Sequence, residues 1–317
     1  MRAVRIGMLV MGMMAGSALA APAEAPDPRI ESIDPVVVDD GTAAGLKLRL
    51  TFPERPVGRL PVVILSHGNR LSRNDYQPLA RALADDGYLV IQPDHGDASD
   101  DGFAPMTAQA ADVWRSRAIQ LQWIAAHLPV VAGMVGALRG HVDSGRVALM
   151  GHSFGGHTAA LAMGATVIAP DTGEVEGHAI ANAHVAVLLA PPGHFDGLAA
   201  SFKDRMPYLR TNWAPMRGPV LVVNGDEDGG GLTDQGPGWH DDAWRFATPG
   251  RGVCRMMVPG GHYLGGIDSP LRPPAGDAKP ERRRRVLNAV LAFLDHSLGR
   301  AGGAARWAAV AARTDCK

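Results

Sequence analysis

The pentapeptide Gly151-His152-Ser153-Phe154-Gly155 follows the apolar run RVALM and opens the small-residue stretch HTAALAMGA. A serine at the tip of a sharp strand-to-helix turn sits in a strained backbone conformation, and side chains two positions before and after it would collide with the neighbouring strand and helix. Gly151 and Gly155 remove those side chains. Such a serine is placed to attack a carbonyl carbon, provided that a base takes its proton and an acid holds the base in the right tautomer. Where this turn is used, the chain order is serine, acid, histidine, each on a loop that follows a strand. The acids Asp226, Glu227 and Asp228 follow the run PVLVVNG, and His262 follows VCRMMV. Of the 12 histidines, His262 alone lies just past a core-like strand late in the chain and amid glycines. His127 and His296 fall in helical segments, His240 reads as part of a polar loop, and His152 reads as shaping the serine turn rather than acting as base. The developing oxyanion needs two N–H donors. Phe154 N–H is one, and Asn69 N–H, in the loop His67-Gly68-Asn69 after VVILS, is expected to be the other.

These residues need strands and helices to bring them together. PVVILS, YLVIQ, RVALM, HVAVLLA, PVLVVNG and VCRMMV are short apolar runs of the kind buried on both faces of a sheet. Helical patterns separate several of them: NDYQPLARALADDG, AADVWRSRAIQLQWIAAHL, FGGHTAALAMGA and ERRRRVLNAVLAFLDHSL. This alternation predicts an α/β fold with a mostly parallel sheet, right-handed crossovers and helices on both faces. VVVDDGTAAGLKLRLTF predicts a half-buried hairpin at the N-terminal end. Residues 165–183 and 191–218 read as loop excursions, too small for a large lid. Trp213, Trp239, Trp244, His194 and Phe195 are candidates for a pocket wall, with plain loop packing as the alternative.

With 317 residues and 46% apolar composition the chain can bury a full core in one domain. The formal net charge of -1 gives no field for nucleic acid or an anionic membrane. Arg282 to Arg285 read as a solvated helix face. Arg2 and Arg5, the run IGMLVMGMMAG and the small residues Ala18 and Ala20 have the pattern of a signal peptide over residues 1–20. A linker over 21–32 and one catalytic domain over 33–317 are expected to follow, in an exported, periplasmic or secreted protein with no membrane span. In an oxidising compartment Cys254 and Cys316, the only two cysteines, are expected to pair. No metal is expected. The acidic stretch from Asp226 has Gly230 fifth and Pro237 twelfth, which fails the calcium-loop template, and no zinc-type spacing is present.

Taken together, ILSHGNRLSRNDYQPLARALADDGYLVIQPDHGD, GRVALMGHSFGGHTAAL, VLVVNGDEDG and PGGHYLGG resemble the α/β-hydrolase superfamily, and within it the dienelactone-hydrolase-like and platelet-activating-factor-acetylhydrolase-like bacterial esterases. The resemblance spans residues 33 to 298. It implies a serine esterase with no cofactor, acting as a monomer on small-molecule or polymeric carboxylic esters through an acyl-enzyme. Phospholipid or polyester cleavage, and a non-catalytic binding protein on the same scaffold, are the alternatives. Dienelactone hydrolases carry cysteine where this chain has Ser153, and the acetylhydrolases place their acid where Pro191 and Pro192 stand here. In similar hydrolases the acid stands three residues after the glycine that ends the strand, which points to Asp228. Asp226 is better placed to cap the loop through backbone N–H groups, and Asp196 remains a weaker candidate.

Overall fold

The computed structural model describes residues 29–39, 41–98, 108–229, 231–267 and 279–317. The expected signal peptide lies outside them. The first strands are β1 (Ile30–Val37), β2 (Lys47–Pro53) and β3 (Leu60–Ser66), followed by α1 (Gln77–Asp85) and β4 (Leu89–Pro93). Then come α2 (Ala108–Ala126), α3 (Leu128–Gly133), β5 (Val142–His152), α4 (Phe154–Ala162), β6 (Thr166–Ile168), β7 (Val175–Gly177) and β8 (Ala183–Leu189). The rest of the chain forms α5 (Ala200–Lys203), β9 (Thr211–Asn212), β10 (Val220–Gly225), α6 (Asp242–Arg245), β11 (Val253–Val258), α7 (Pro280–Ser297), α8 (Gly303–Ala311) and β12 (Asp315–Cys316).

Nine strands make the central sheet, in the order β1-β2-β4-β3-β5-β8-β10-β11-β12. The run from β4 to β11 is parallel, while β1, β2 and β12 are antiparallel to their neighbours. This is the mostly parallel α/β sheet that the apolar runs predict. In β3, Val62 and Ile64 face one core with Trp114 and Leu121 of α2 and Ala160 of α4. Val63 and Leu65 face the other, with Leu79 and Leu83 of α1 and Val290 and Leu294 of α7. Both faces are covered, so the strand sequences are apolar without alternation. In α7, Pro280 and Glu281 in the first turn suit a helix start, and Val286, Ala289, Val290, Phe293 and Leu294 form the buried stripe.

Two expectations need correction. β1 begins at Ile30 and pairs with Pro53, so the last residues of the expected 21–32 linker already belong to the sheet. The excursions after α4 and β8 are not plain loops, because they contribute β6, β7 and β9 to a small antiparallel sheet. Its strands are two or three residues long, below the length at which alternation shows in a sequence. As expected, Cys316 is disulfide-bonded to Cys254: α8 and β12 extend the fold past α7 and bring Cys316 beside β11. The separation of 62 residues corresponds to about 4 kcal/mol in the chain-entropy model. The loops leaving the C-terminal ends of β3, β5, β8, β10 and β11 converge on one edge of the sheet, where open parallel sheets place their ligands.

Candidate active site

Ser153 links β5 to α4 with φ 54° and ψ −121°, outside the regions a side-chain-bearing residue prefers. The strain is held on both sides. Ser153 N–H donates to Leu189 O at 2.8 Å, and Ser153 C=O accepts from Gly156 N–H and His157 N–H in the first turn of α4. A Cβ on Gly151 would stand 2.0 Å from Gly155 O, and one on Gly155 would stand 2.0 Å from Ser66 O. Both positions therefore require glycine, for the steric reason anticipated from the sequence. The Ser153 hydroxyl sits at the start of α4, where unpaired N–H groups and the helix dipole favour negative charge.

His262 Nδ1 lies 2.8 Å from Asp228 Oδ2, and Asp228 is buried. A carboxylate only accepts, so Nδ1 carries a proton, and in the neutral ring Nε2 is then the nitrogen with the lone pair, the tautomer a general base needs. Burial raises the Asp228 pKa. The hydrogen bonds and charges of His240 and His262 outweigh it and hold the carboxyl well below the usual carboxylate range. His240 is the residue that sequence reasoning missed. It lies buried in a 3-10 turn, Pro237–Asp241, rather than in an open polar loop. Its Nδ1–H donates to Pro191 O at 2.7 Å, and its Nε2 lies 3.3 Å from Asp228 Oδ2. No motif announces it, because its partners come from loops 12 and more residues away.

His152 is a strut. It accepts from Tyr76 O–H at Nδ1 (2.8 Å) and donates from Nε2 to His262 O (2.9 Å), and Tyr76 in turn accepts from Gly68 N–H (3.0 Å). One chain of hydrogen bonds thus joins the His262 loop to the loop that carries Asn69. Burial, reinforced by the neighbouring His262, lowers the His152 pKa to about 3, so the ring is neutral, as this bonding requires.

Asn69, Ser153 and Phe154 line one cavity with Pro192, Met206, Tyr208, Leu209 and Leu232, and its volume is about 80 Å3. The wall is mostly apolar. Trp213 and Trp239, expected as candidates for it, are buried in the core, while Met206, Tyr208 and Leu209 around the 3-10 turn after α5 take that place. A larger cavity of about 260 Å3, lined by Lys47, His95 and Trp123 among others, lies apart from Ser153. Of the other acid candidates, Asp226 accepts Gly260 N–H at 3.0 Å and ties two loops together. Asp196 is exposed and pairs with His194. Asp228, His240 and His262 are also the one group among the described residues whose ligand atoms could hold a metal ion, lying within 4.8 Å of one another.

The chain matches the Chlorophyllase family, an α/β-hydrolase-type serine esterase family, over residues 31–172. This stretch takes in Asn69 and the Ser153 turn and stops before Asp228, His240 and His262. No curated protein matches the chain. This likeness lies over a sheet that is parallel from β4 to β11 and carries an antiparallel pair at its N-terminal edge, and together they give the chain a fold of the α/β-hydrolase type.

Proposed function

We propose that the protein is a serine esterase that cleaves carboxylic esters of short to medium acyl chain through an acyl-enzyme. The observation that carries this is the 2.8 Å pairing of buried Asp228 with His262 Nδ1, on loops that converge with a strained Ser153. In this reading His262 Nε2 takes the Ser153 proton as Oγ attacks the ester carbonyl carbon. The negative charge passes to the carbonyl oxygen, which accepts from Asn69 N–H and Phe154 N–H. The imidazolium, stabilised by Asp228, gives its proton to the leaving alkoxide. Water then enters by the same route in reverse, losing a proton to His262 as it attacks the acyl carbon, and the imidazolium returns that proton to Ser153 Oγ as the carbon–Oγ bond breaks and the carboxylic acid leaves.

The small apolar cavity beside Ser153 suits a short acyl group, on the order of two to eight carbons. The disulfide fits an oxidising compartment and so supports export. A fluorophosphonate should label Ser153 in the wild-type chain and leave Ser153→Ala unlabelled. A panel of p-nitrophenyl esters of rising length, with polyester film, phospholipid and chlorophyll beside it, should show a maximum among the short esters. Failure of a folded protein to be labelled, with no hydrolysis of any ester, would turn the reading toward a binding protein on this scaffold.

A further inference from the structure

Arg117, on α2, has no exposed surface, and Asp97, in the loop after β4, has almost none. Their pairing is two-pronged, with Nε to Oδ1 at 2.9 Å and Nη2 to Oδ2 at 2.7 Å. The remaining guanidinium hydrogens go to the strand end and loop beside the serine turn. Nη1 donates to His67 O at 2.6 Å and lies 3.5 Å from Ser66 Oγ, and Nη2 also reaches Gly68 O at 3.3 Å. On its other face the guanidinium carbon stands 4.4 Å from the centre of the Phe154 ring.

These bonds bear on Asn69 from both sides. Gly68 C=O and Asn69 N–H belong to one trans peptide plane and point in opposite directions. Arg117 Nη2 and His67 Nδ1–H, the latter at 2.7 Å, both hold Gly68 O, so they fix where Asn69 N–H points. Beyond Asn69, the N–H of Arg70 donates to Asp97 Oδ2 at 3.4 Å, and Arg70 is held in the left-handed region at φ 58°. His67 completes the grip. It receives His95 N–H on Nε2 at 3.1 Å, and burial, with Arg117 nearby, keeps it neutral.

We propose that Arg117, backed by Asp97, is a positioning residue for the oxyanion hole: it holds the peptide planes on either side of Asn69 and braces Phe154, so that both N–H donors face one point beside Ser153. The proposal rests on the esterase reading above. A buried ion pair is a poor device for stability, since an apolar pair of similar volume often does as well. It is a good device for aiming a peptide, because a planar fork of five donors can grip a carboxylate and two carbonyls together. Lysine carries the charge without the fork.

The test uses Arg117→Lys, which keeps the charge that Asp97 requires, and the double variant Arg117→Met with Asp97→Leu, which leaves neither charge unpaired. Thermal melts establish which variants are folded. In a folded variant kcat on a short p-nitrophenyl ester should fall by about 10^2 to 10^3, the effect of losing one oxyanion donor, with KM nearly unchanged. Affinity for a trifluoromethyl ketone, whose adduct with Ser153 places an oxyanion in the hole, and the rate of fluorophosphonate labelling should fall in parallel. A folded Arg117→Lys chain with wild-type kcat and ketone affinity overturns the proposal, as does a loss that appears wholly in KM. If the fluorophosphonate fails to label wild-type Ser153, the esterase reading falls first and takes the proposal with it.

Discussion

Two carboxylates, Asp97 and Asp228, are buried beneath the same edge of the sheet, and both are held well below the usual carboxylate range. Burial pushes each upward and a cationic or donating partner outweighs it. The partners differ. Asp97 faces a guanidinium that stays charged at any pH the protein meets, whereas Asp228 faces His262 and His240, rings that can take or release a proton. The first arrangement is static and suits holding a loop. The second can hold the tautomer of a ring that gains and loses a proton. Burial and a depressed pKa therefore do not mark a catalytic acid by themselves; the chemistry of the partner does.

The comparison is broken most directly on the side that moves protons. Ser153→Ala and His262→Ala should each lower kcat by on the order of 10^6 in a protein that still folds, and the double variant should be no worse, because triad members act as a unit. Asp228→Asn should cost about 10^3 to 10^4, the price of the wrong His262 tautomer. Steady-state kinetics on one short ester decides all four. Near-wild-type turnover in folded Asp228→Asn would move the acid elsewhere and make the two carboxylates alike.

The contrast also separates what could be read from the sequence from what could not. The serine turn was legible because steric exclusion at Gly151 and Gly155 leaves a fixed pattern of five residues. Asp228 and His262 were legible as residues that follow apolar runs, with the choice of Asp228 leaning on resemblance. Most of the central-sheet strands were legible because burial on both faces makes them apolar throughout. Arg117 and Asp97 were not, since they lie 20 residues apart on different elements and an arginine in a helix reads as surface. His240 escaped for the same reason. The cavity wall escaped because short turns, not periodic elements, supply Met206, Tyr208 and Leu209.

Acid should act through a third set of groups. His67, His152 and His157 are buried and lowered to about 3 by that burial, and His95 is also held well below its ordinary value. Unfolded, each would titrate near pH 6.5. Between pH 6.5 and about 3 the unfolded chain therefore binds more protons than the folded one, so stability is complete above this window and is lost as pH falls through it. Each ring contributes a slope of up to about 1.4 kcal/mol per pH unit. Denaturant midpoints measured at pH 7, 6 and 5 should fall with a slope approaching several protons, and His157→Gln, which lies away from His262, should flatten it by about one. A flat profile would mean that these rings are protonated in the folded protein.

On the static side, removing one partner should act on stability before rate. Asp97→Ala leaves Arg117 buried with an unanswered charge, which is expected to cost about 3 to 5 kcal/mol. The denaturant midpoint at pH 7 measures it. A smaller loss than that of Arg255→Ala, whose partners Asp241 and Asp315 include an exposed one, would show that the Asp97 pair is solvated rather than sealed.

The smallest effect expected is at Asp226, two residues from Asp228. Its Oδ1 accepts Gly260 N–H at 3.0 Å, Asp226 N–H donates to Val258 O and Glu227 N–H to Gly260 O, so the loops after β10 and β11 are zipped together mainly by backbone bonds. Asp226→Asn retains an oxygen that can accept the same N–H and loses only the charge-assisted part of one bond. A stability loss of about 1 kcal/mol and a change in kcat of less than about tenfold are expected. The comparison with Asp228→Asn is informative because both substitutions change a carboxylate to an amide on one loop. If Asp226→Asn proves the crippled variant while Asp228→Asn keeps its rate, the His262 side chain draws on Asp226 during turnover, and the buried Asp228 pair belongs with Asp97 as a structural one.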